Sequence, residues 1–275
     1  MQHLPEYLSY SSLNTYEECP RAWYLGRLKR AEPKQTWFFP VGTTVHTCIE
    51  KHIAGEEFSV KEIFYGLIAD QLKIDSDDVN WLSGGSAEDP AIRGKALLQA
   101  ELCVAEAIKF LEDVEVVAVE RELNVRFPGL EVPVKMFLDL TCIHKKYGPL
   151  IVDWKTGKSK PKSPLQLEVY GCGLLIEDGY PMEYDGWWGM LNPATTAKTA
   201  RSRLVKLGKV EPEVIGRRFQ AAYDDMKRKL YKANAGYGCK WCIQAPNCNV
   251  ESLGSERAKY YDKSSEDGIP FDAGD

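Results

Sequence analysis

The stretch Leu138-Asp139-Leu140-Thr141-Cys142-Ile143-His144, Lys145-Lys146-Tyr147, Gly148-Pro149-Leu150-Ile151-Val152-Asp153-Trp154-Lys155 reads as a β-hairpin. Two apolar, β-branched runs flank a polar turn that ends in Gly-Pro. Asp139 and Asp153 each lie seven residues from Lys146. A hairpin centred on that lysine sets the two carboxylates opposite each other, about 5 Å apart at their β-carbons. Side chains alternate along a strand, so Lys155 shares a face with Asp153.

Working outward, Val114 to Val125 is β-branched and alternating, Val132 to Ile143 follows, and Leu150 to Trp154 completes a three-stranded antiparallel meander. Pro164 to Leu175 returns to helix. Tyr184 to Leu191 and residues 200–207 suggest two more strands, and Glu211 to Lys232 a long amphipathic helix ending near Gly236. Upstream, the pattern is helical. Ser9 to Arg30 is capped at Ser11 or Ser12 and interrupted at Pro20. Gly42 to Ala54, residues 60–73 and residues 91–112 follow, with a polar loop through Trp81 to Ser86. The expected organisation is α/β: a helical region over 1–112, a core over 113–235, a cysteine segment over 236–250, and a flexible polar tail over 251–275.

At 275 residues the chain is long enough to bury a full core. Hydrophobic content of 44% and charged content of 27% are ordinary for a globular protein. No apolar run is long enough to span a bilayer. Met1-Gln2-His3-Leu4-Pro5-Glu6-Tyr7 lacks a charged region followed by an apolar core, so a cytoplasmic location is expected. The net charge of -5 is not that of a bulk DNA coater. Basic residues nevertheless gather at Lys155, Lys158, Lys160 and Lys162, at Lys198, Arg201, Arg203, Lys206 and Lys209, and at Arg217, Arg218, Lys227, Arg228, Lys229 and Lys232. Any one run alone reads as a solvated face; three around one strand suggest a phosphate-binding channel.

Two carboxylates and a lysine on one patch suit Mg²⁺ or Mn²⁺, which take hard oxygen ligands and leave positions for water and phosphate. Such a site points to phosphodiester hydrolysis, with Lys155 orienting water or stabilising the charge that builds on the phosphate. Taken alone, Asp-x-Lys also fits a surface ion-paired strand; Asp139 in register weakens that alternative. In the following helix, Gln166 and Tyr170 are four residues apart and share a face that could meet a bound strand.

Eight cysteines in such a chain favour metal binding over disulfides. Cys48, Cys103, Cys142 and Cys172 are scattered in apolar surroundings and read as small core residues. Cys239, Cys242 and Cys248 form C-x2-C-x5-C, and Cys19 stands alone before Pro20. Four thiolates could hold zinc or a [4Fe–4S] cluster, and spacing leaves both open.

The chain resembles the RecB-type branch of the PD-(D/E)xK nuclease superfamily, which includes the nuclease domains of RecB and AddB and the CRISPR-associated RecB-like exonucleases. The resemblance rests on Ser9-x-Ser11-x-Leu13-x-x-Tyr16-x-x-Cys19-Pro20-Arg21, Gly42-x-x-x-His46, Glu120, Asp139, Asp153-x-Lys155, Gln166-x-x-x-Tyr170 and the terminal cysteines. It implies a restriction-endonuclease-like core with a central mixed sheet flanked by helices. It implies that His46, Asp139 and Asp153 hold metal, that Gln166 and Tyr170 join Asp139, Asp153 and Lys155 in the catalytic set, and that Cys19, Cys239, Cys242 and Cys248 hold a structural [4Fe–4S] cluster shielded by Trp241 and Pro20. Glu120 is left outside this core set as a structural residue, and Thr156 is a candidate substrate contact. Met136 replaces the glycine usual in the family three residues before the first aspartate, a departure that bears on strand geometry. The implied activity is a Mg²⁺- or Mn²⁺-dependent DNA exonuclease in recombination, repair or phage DNA processing. DNA is the implied partner, with a helicase or annealing protein as further candidates. The alternatives are a CRISPR adaptation nuclease that trims spacer precursors and a non-catalytic DNA-end binding module.

Overall fold

The computed structural model describes residues 4–33, 36–74, 90–161, 163–179, 184–192, 203–207 and 211–248. The polar loop through Trp81, the basic residues Lys162, Lys198, Arg201 and Lys209, and the tail from 251 lie outside them.

The chain opens with α1 (Tyr10–Glu18), capped by the Ser9 hydroxyl, which accepts from the Ser12 amide at 3.1 Å. Ser9 takes the cap expected of Ser11 or Ser12, because its extended backbone aims the side chain at the free amides of the first turn. Pro20 disfavours helical geometry in the residue before it, so Cys19 is extended and α1 stops. The same proline then starts α2 (Pro20–Trp23), which runs into a π turn over Tyr24–Leu28. Next come α3 (Phe38–Ile53), α4 (Val60–Ile74) and α5 (Pro90–Leu111).

Five strands form one sheet in the order β1-β2-β3-β4-β5: β1 (Val114–Val125), β2 (Val134–His144), β3 (Gly148–Lys155), β4 (Asp185–Met190) and β5 (Arg203–Val205). The first three make the expected antiparallel meander. Helix α6 (Leu165–Asp178) carries the chain from β3 to a parallel β4, and β5 returns antiparallel. Helix α7 (Pro212–Lys227) follows. It ends earlier than expected, because Lys229 adopts a left-handed backbone (φ 59°) that no helix continues through. The sheet is therefore mixed and flanked by helices.

Two apolar layers cover it. One joins α1, α2, α6 and α7 to Leu123, Val125, Val134, Met136, Leu138, Ile151 and Trp188. The other joins α3, α4 and α5 to Leu140, Cys142, Leu150, Val152 and Trp154. Residues two apart on a strand normally share a face, yet Leu138 and Leu140 belong to different layers. The strand pair turns over between them, at Asp139 and its neighbour Glu120. Glu120 sits in the middle of β1 with φ 45°, a region that side chains other than glycine rarely occupy.

Met136 finds its room in α6. A β-carbon on Gly173 would stand 2.5 Å from the Met136 sulfur. The glycine absent from β2 is matched by one on the helix that packs over it.

Candidate functional site: a carboxylate row at the break in the sheet

The β2–β3 register runs from His144↔Gly148 to Leu140↔Val152. Continued by one step, it sets Asp139 opposite Asp153, as the hairpin count predicts. The β1–β2 register pairs Val119 with Leu140 and Arg121 with Leu138. Glu120 therefore stands opposite Asp139, and three carboxylates from three neighbouring strands form one row. His46 of α3 reaches into it: its Nδ1 lies 3.4 Å from Glu120 Oε1 and 3.7 Å from Asp139 Oδ1. One ligand atom from each of His46, Glu120 and Asp139 lies within 4.8 Å of the others.

The other side of the row is organised by β3 and α6. The Trp154 amide donates to Asp139 Oδ2 at 2.7 Å. Lys155 Nζ stands 2.5 Å from Asp153 Oδ2 and donates to Gln166 Oε1 at 3.1 Å. Gln166 Nε2 in turn donates to the Tyr170 hydroxyl at 2.9 Å. The ammonium lies 5.4 Å from the centre of the buried Trp188 ring. Tyr170 is 6% exposed. The expected groove-facing role for this tyrosine is thus corrected: its ring packs in the core, and its hydroxyl fixes the glutamine that holds the lysine. The spacing of four made the pair but could not tell which layer covers it.

Electrostatics mark the row as a place short of positive charge. Burial, and then the neighbouring Asp153 carboxylate, push the Asp139 carboxyl up to about 7. Asp153 is also raised, by burial, against the pull of Lys155. Burial works against a charged His46, but the Glu120 hydrogen bond and the Asp139 carboxylate outweigh it and raise the imidazole. Burial raises the Tyr170 phenol well above its ordinary value, which keeps it neutral. These groups suit a bound divalent cation, since it would relieve the repulsion that now favours protons.

Thr156 ends β3. Its carbonyl accepts from Gln99 and Asn192, each at 2.9 Å, so its backbone pins the strand end. An open cleft of about 350 Å³ runs beside the row, lined by Phe39, Thr43, His46, Glu50 and Glu120 among others. Glu120 is the member that sequence reasoning set aside. A signal existed: counted outward from Gly129-Leu130, Glu120 and Asp139 are each nine residues away, just as Asp139 and Asp153 are each seven from Lys146.

The expected basic channel is only partly present. Lys206 pairs with Asp185, Arg218 with Glu17, Lys227 with Glu131 and Asp224, and Arg228 with Asp225. Acids on neighbouring turns, unseen in a reading of basic runs alone, neutralise them.

At the far end of α1, Cys19, Cys239, Cys242 and Cys248 line one pocket together with Ala22, Leu25, Asn234, Gln244 and Ala245. None is in a disulfide. The Asn234 amide donates to Cys19 Sγ at 3.4 Å, and the Gly236 amide to Cys239 Sγ at 3.5 Å. Trp241 is 50% exposed and Pro20 does not line the pocket, so the expected shield is corrected. Ala22 of α2 and Ala233, Ala235 and Ala245 from the segment after α7 line it instead, beside the longer residues. Cys48, Cys103, Cys142 and Cys172 are buried, as expected of core residues.

The family model of the PD-(D/E)XK nuclease superfamily matches residues 7–249, and the chain belongs to that superfamily. Among solved structures it is similar to a protein from Eubacterium rectale whose assignment as an exonuclease is provisional. The two share 15% identity over 89% of each chain, with a TM-score of 0.50. A second similar structure is SSO0001, at 15% identity over 76% of this chain and 96% of that one, with a TM-score of 0.36. The first likeness concerns the fold alone. No curated protein sequence matches significantly. Among the described residues no helix is long and apolar enough to cross a membrane.

Proposed function

We propose that this nuclease-superfamily protein is a Mg²⁺- or Mn²⁺-dependent DNA exonuclease of the RecB-like type, acting on ends or single strands in recombination, repair or phage DNA processing. The observation that carries the reading is the row of Glu120, Asp139 and Asp153, with His46 at one end and Lys155 at the other. His46, Asp139 and Asp153 would hold the cation, and Glu120 is placed to join them. The cation supplies Lewis acidity toward phosphate oxygens and makes water more acidic. The chain's own groups do the rest. Asp153 and Gln166 aim the Lys155 ammonium at the charge that grows on the phosphate. Trp188 and Tyr170 keep the base of that assembly dry, where a fixed charge acts most strongly. Asp139, held by the Trp154 amide, has one oxygen fixed and the other turned toward His46.

The four-thiol pocket supports a [4Fe–4S] cluster as the second cofactor. Amide donors to two of the sulfurs favour thiolates. Burial, and then neighbouring cysteines, raise the Cys242 thiol, so the set is at ease only with cations present.

The test is digestion of end-labelled single- and double-stranded DNA with Mg²⁺, Mn²⁺ or EDTA. Metal-dependent release of short products from ends is expected. Asp153→Ala and Lys155→Ala should each lose cleavage by about 100-fold or more while remaining folded. Near-wild-type cleavage by both would remove the proposed site. Binding without cleavage by the wild type would favour the DNA-end binding module.

A further inference from the structure

A second cleft, of about 550 Å³, lies on the face built by α2 and the segment after α7. Its lining includes Arg21, Tyr24, Lys229, Leu230, Tyr231 and Lys232. Its floor is a ladder of rings. Trp23 stacks on Tyr231 at 5.9 Å, and Tyr231 on Tyr24 at 4.6 Å. The Arg21 guanidinium and the Lys29 ammonium lie over the Tyr24 ring, 5.3 and 5.7 Å from its centre. Lys229, in its left-handed turn, and Lys232 supply two more cations.

These four cations differ from three others in and just after α7. Arg218, Lys227 and Arg228 are all paired with acids. Arg21, Lys29, Lys229 and Lys232 have no carboxylate partner among the described residues. The Nε of Arg21 is buried and lacks a hydrogen-bond acceptor among them. A cluster of positive charge without acid partners suits an anion of several charges.

We propose that this cleft is a holding site for single-stranded DNA, separate from the carboxylate row. The inference rests on the nuclease reading for its choice of polyanion. Phosphates would meet Arg21, Lys229 and Lys232. Unpaired bases would meet the tyrosine edges and Leu230, which is 48% exposed. A duplex would offer the cleft phosphates and sugars alone, leaving that apolar surface without a partner, so a single strand fits better. Helix α1 links the two places. Tyr10 at its start feels the Asp153 carboxylate, and Arg21 follows its other end. Nine residues of helix span about 14 Å, a length of only a few nucleotides. A strand held here could leave its end near the row.

The test is binding of a labelled 20-nucleotide single strand, in EDTA to prevent cutting, over a range of salt concentrations. The variant is Lys229→Gly with Lys232→Ala; glycine suits the left-handed backbone at 229, and a thermal melt checks the fold. Affinity at 0.1 M salt should fall about tenfold, and the slope of log affinity against log salt should shrink by about 1.4, roughly 0.7 for each phosphate no longer neutralised. Lys145→Ala, on the β2–β3 turn, should change neither. Unchanged affinity and slope in the double variant, with Asp153→Ala still abolishing cleavage, would overturn the holding site and leave the nuclease reading standing. A loss confined to duplex binding would overturn the single-strand assignment. If the wild type neither binds nor cuts DNA, the nuclease reading fails first and the holding site with it.

Discussion

At the scale of single residues, Glu120 is the one held under strain. Its left-handed backbone costs a residue with a β-carbon about 1 kcal/mol or more. Glu120→Gly should therefore be more stable than Glu120→Ala by about 1 kcal/mol in denaturant unfolding. Both should lose metal affinity or cleavage roughly 10- to 100-fold. Equal stabilities would mean the backbone is not strained; unchanged cleavage would remove Glu120 from the site. Asp139 gives a pH signature. Its folded carboxyl, at about 7, lies above the ordinary value of 3.8. The folded state then holds the proton more tightly than the unfolded state between about pH 4 and 7. Unfolding releases it, so stability falls as pH rises through that window. Melting in EDTA at pH 5.5 and pH 8 should show this loss, Mn²⁺ should recover it at pH 8, and Asp139→Asn should flatten the dependence. A metal-free wild type more stable at pH 8, relative to Asp139→Asn, would contradict it.

At the scale of elements, close packing sets the angles that bring the row together. A β-carbon on Gly216 of α7 would collide with the Pro128 carbonyl oxygen. That atom belongs to the backbone of the β1–β2 turn and cannot swing aside. Gly216→Ala should cost about 1–3 kcal/mol in chemical denaturation, and a change below a few tenths would show that α7 shifts freely. The same turn explains what was legible. Alternation and turn residues located β1, β2 and β3 to within two residues, and hairpin symmetry alone placed Asp139 against Asp153. The row's third member needed the same count about Gly129-Leu130. Alternation obscured it, because the alternation itself fails at Glu120 and Asp139. Helix α7 was overextended for a local reason: residues 228–232 are compatible with helix by composition, and only the left-handed turn at Lys229 stops it. The burial of Tyr170 was hidden because a phenol on a helix reads equally as a core or a groove residue until its covering layer is known.

At the scale of the molecule, the opening segment through Glu32 and the last described residues act as one unit. The Tyr16 hydroxyl donates to the Leu230 carbonyl, Asn234 to the Glu18 carbonyl, Gln244 to the Ala31 carbonyl and Asn247 to the Glu32 carbonyl. The thiol pocket sits among these bonds. Anaerobic preparation should give brown protein with about four irons per chain. Changing Cys19, Cys239, Cys242 or Cys248 to Ser should bleach it and lower the melting temperature. The same change at Cys48, Cys103, Cys142 or Cys172 should leave the colour alone. Stoichiometric zinc without iron would reject the cluster and keep the four-thiol site. The Leu8 amide and carbonyl also bond across to Pro133 and Lys135 beside β2. A growing polypeptide leaves the ribosome from its N-terminus, so Leu8 and Cys19 are made long before any of these partners. The opening segment must wait, its apolar stripe uncovered, until translation has passed residue 135, and its thiol until translation has passed residue 248. Closure of this molecule is thus a late event in its synthesis.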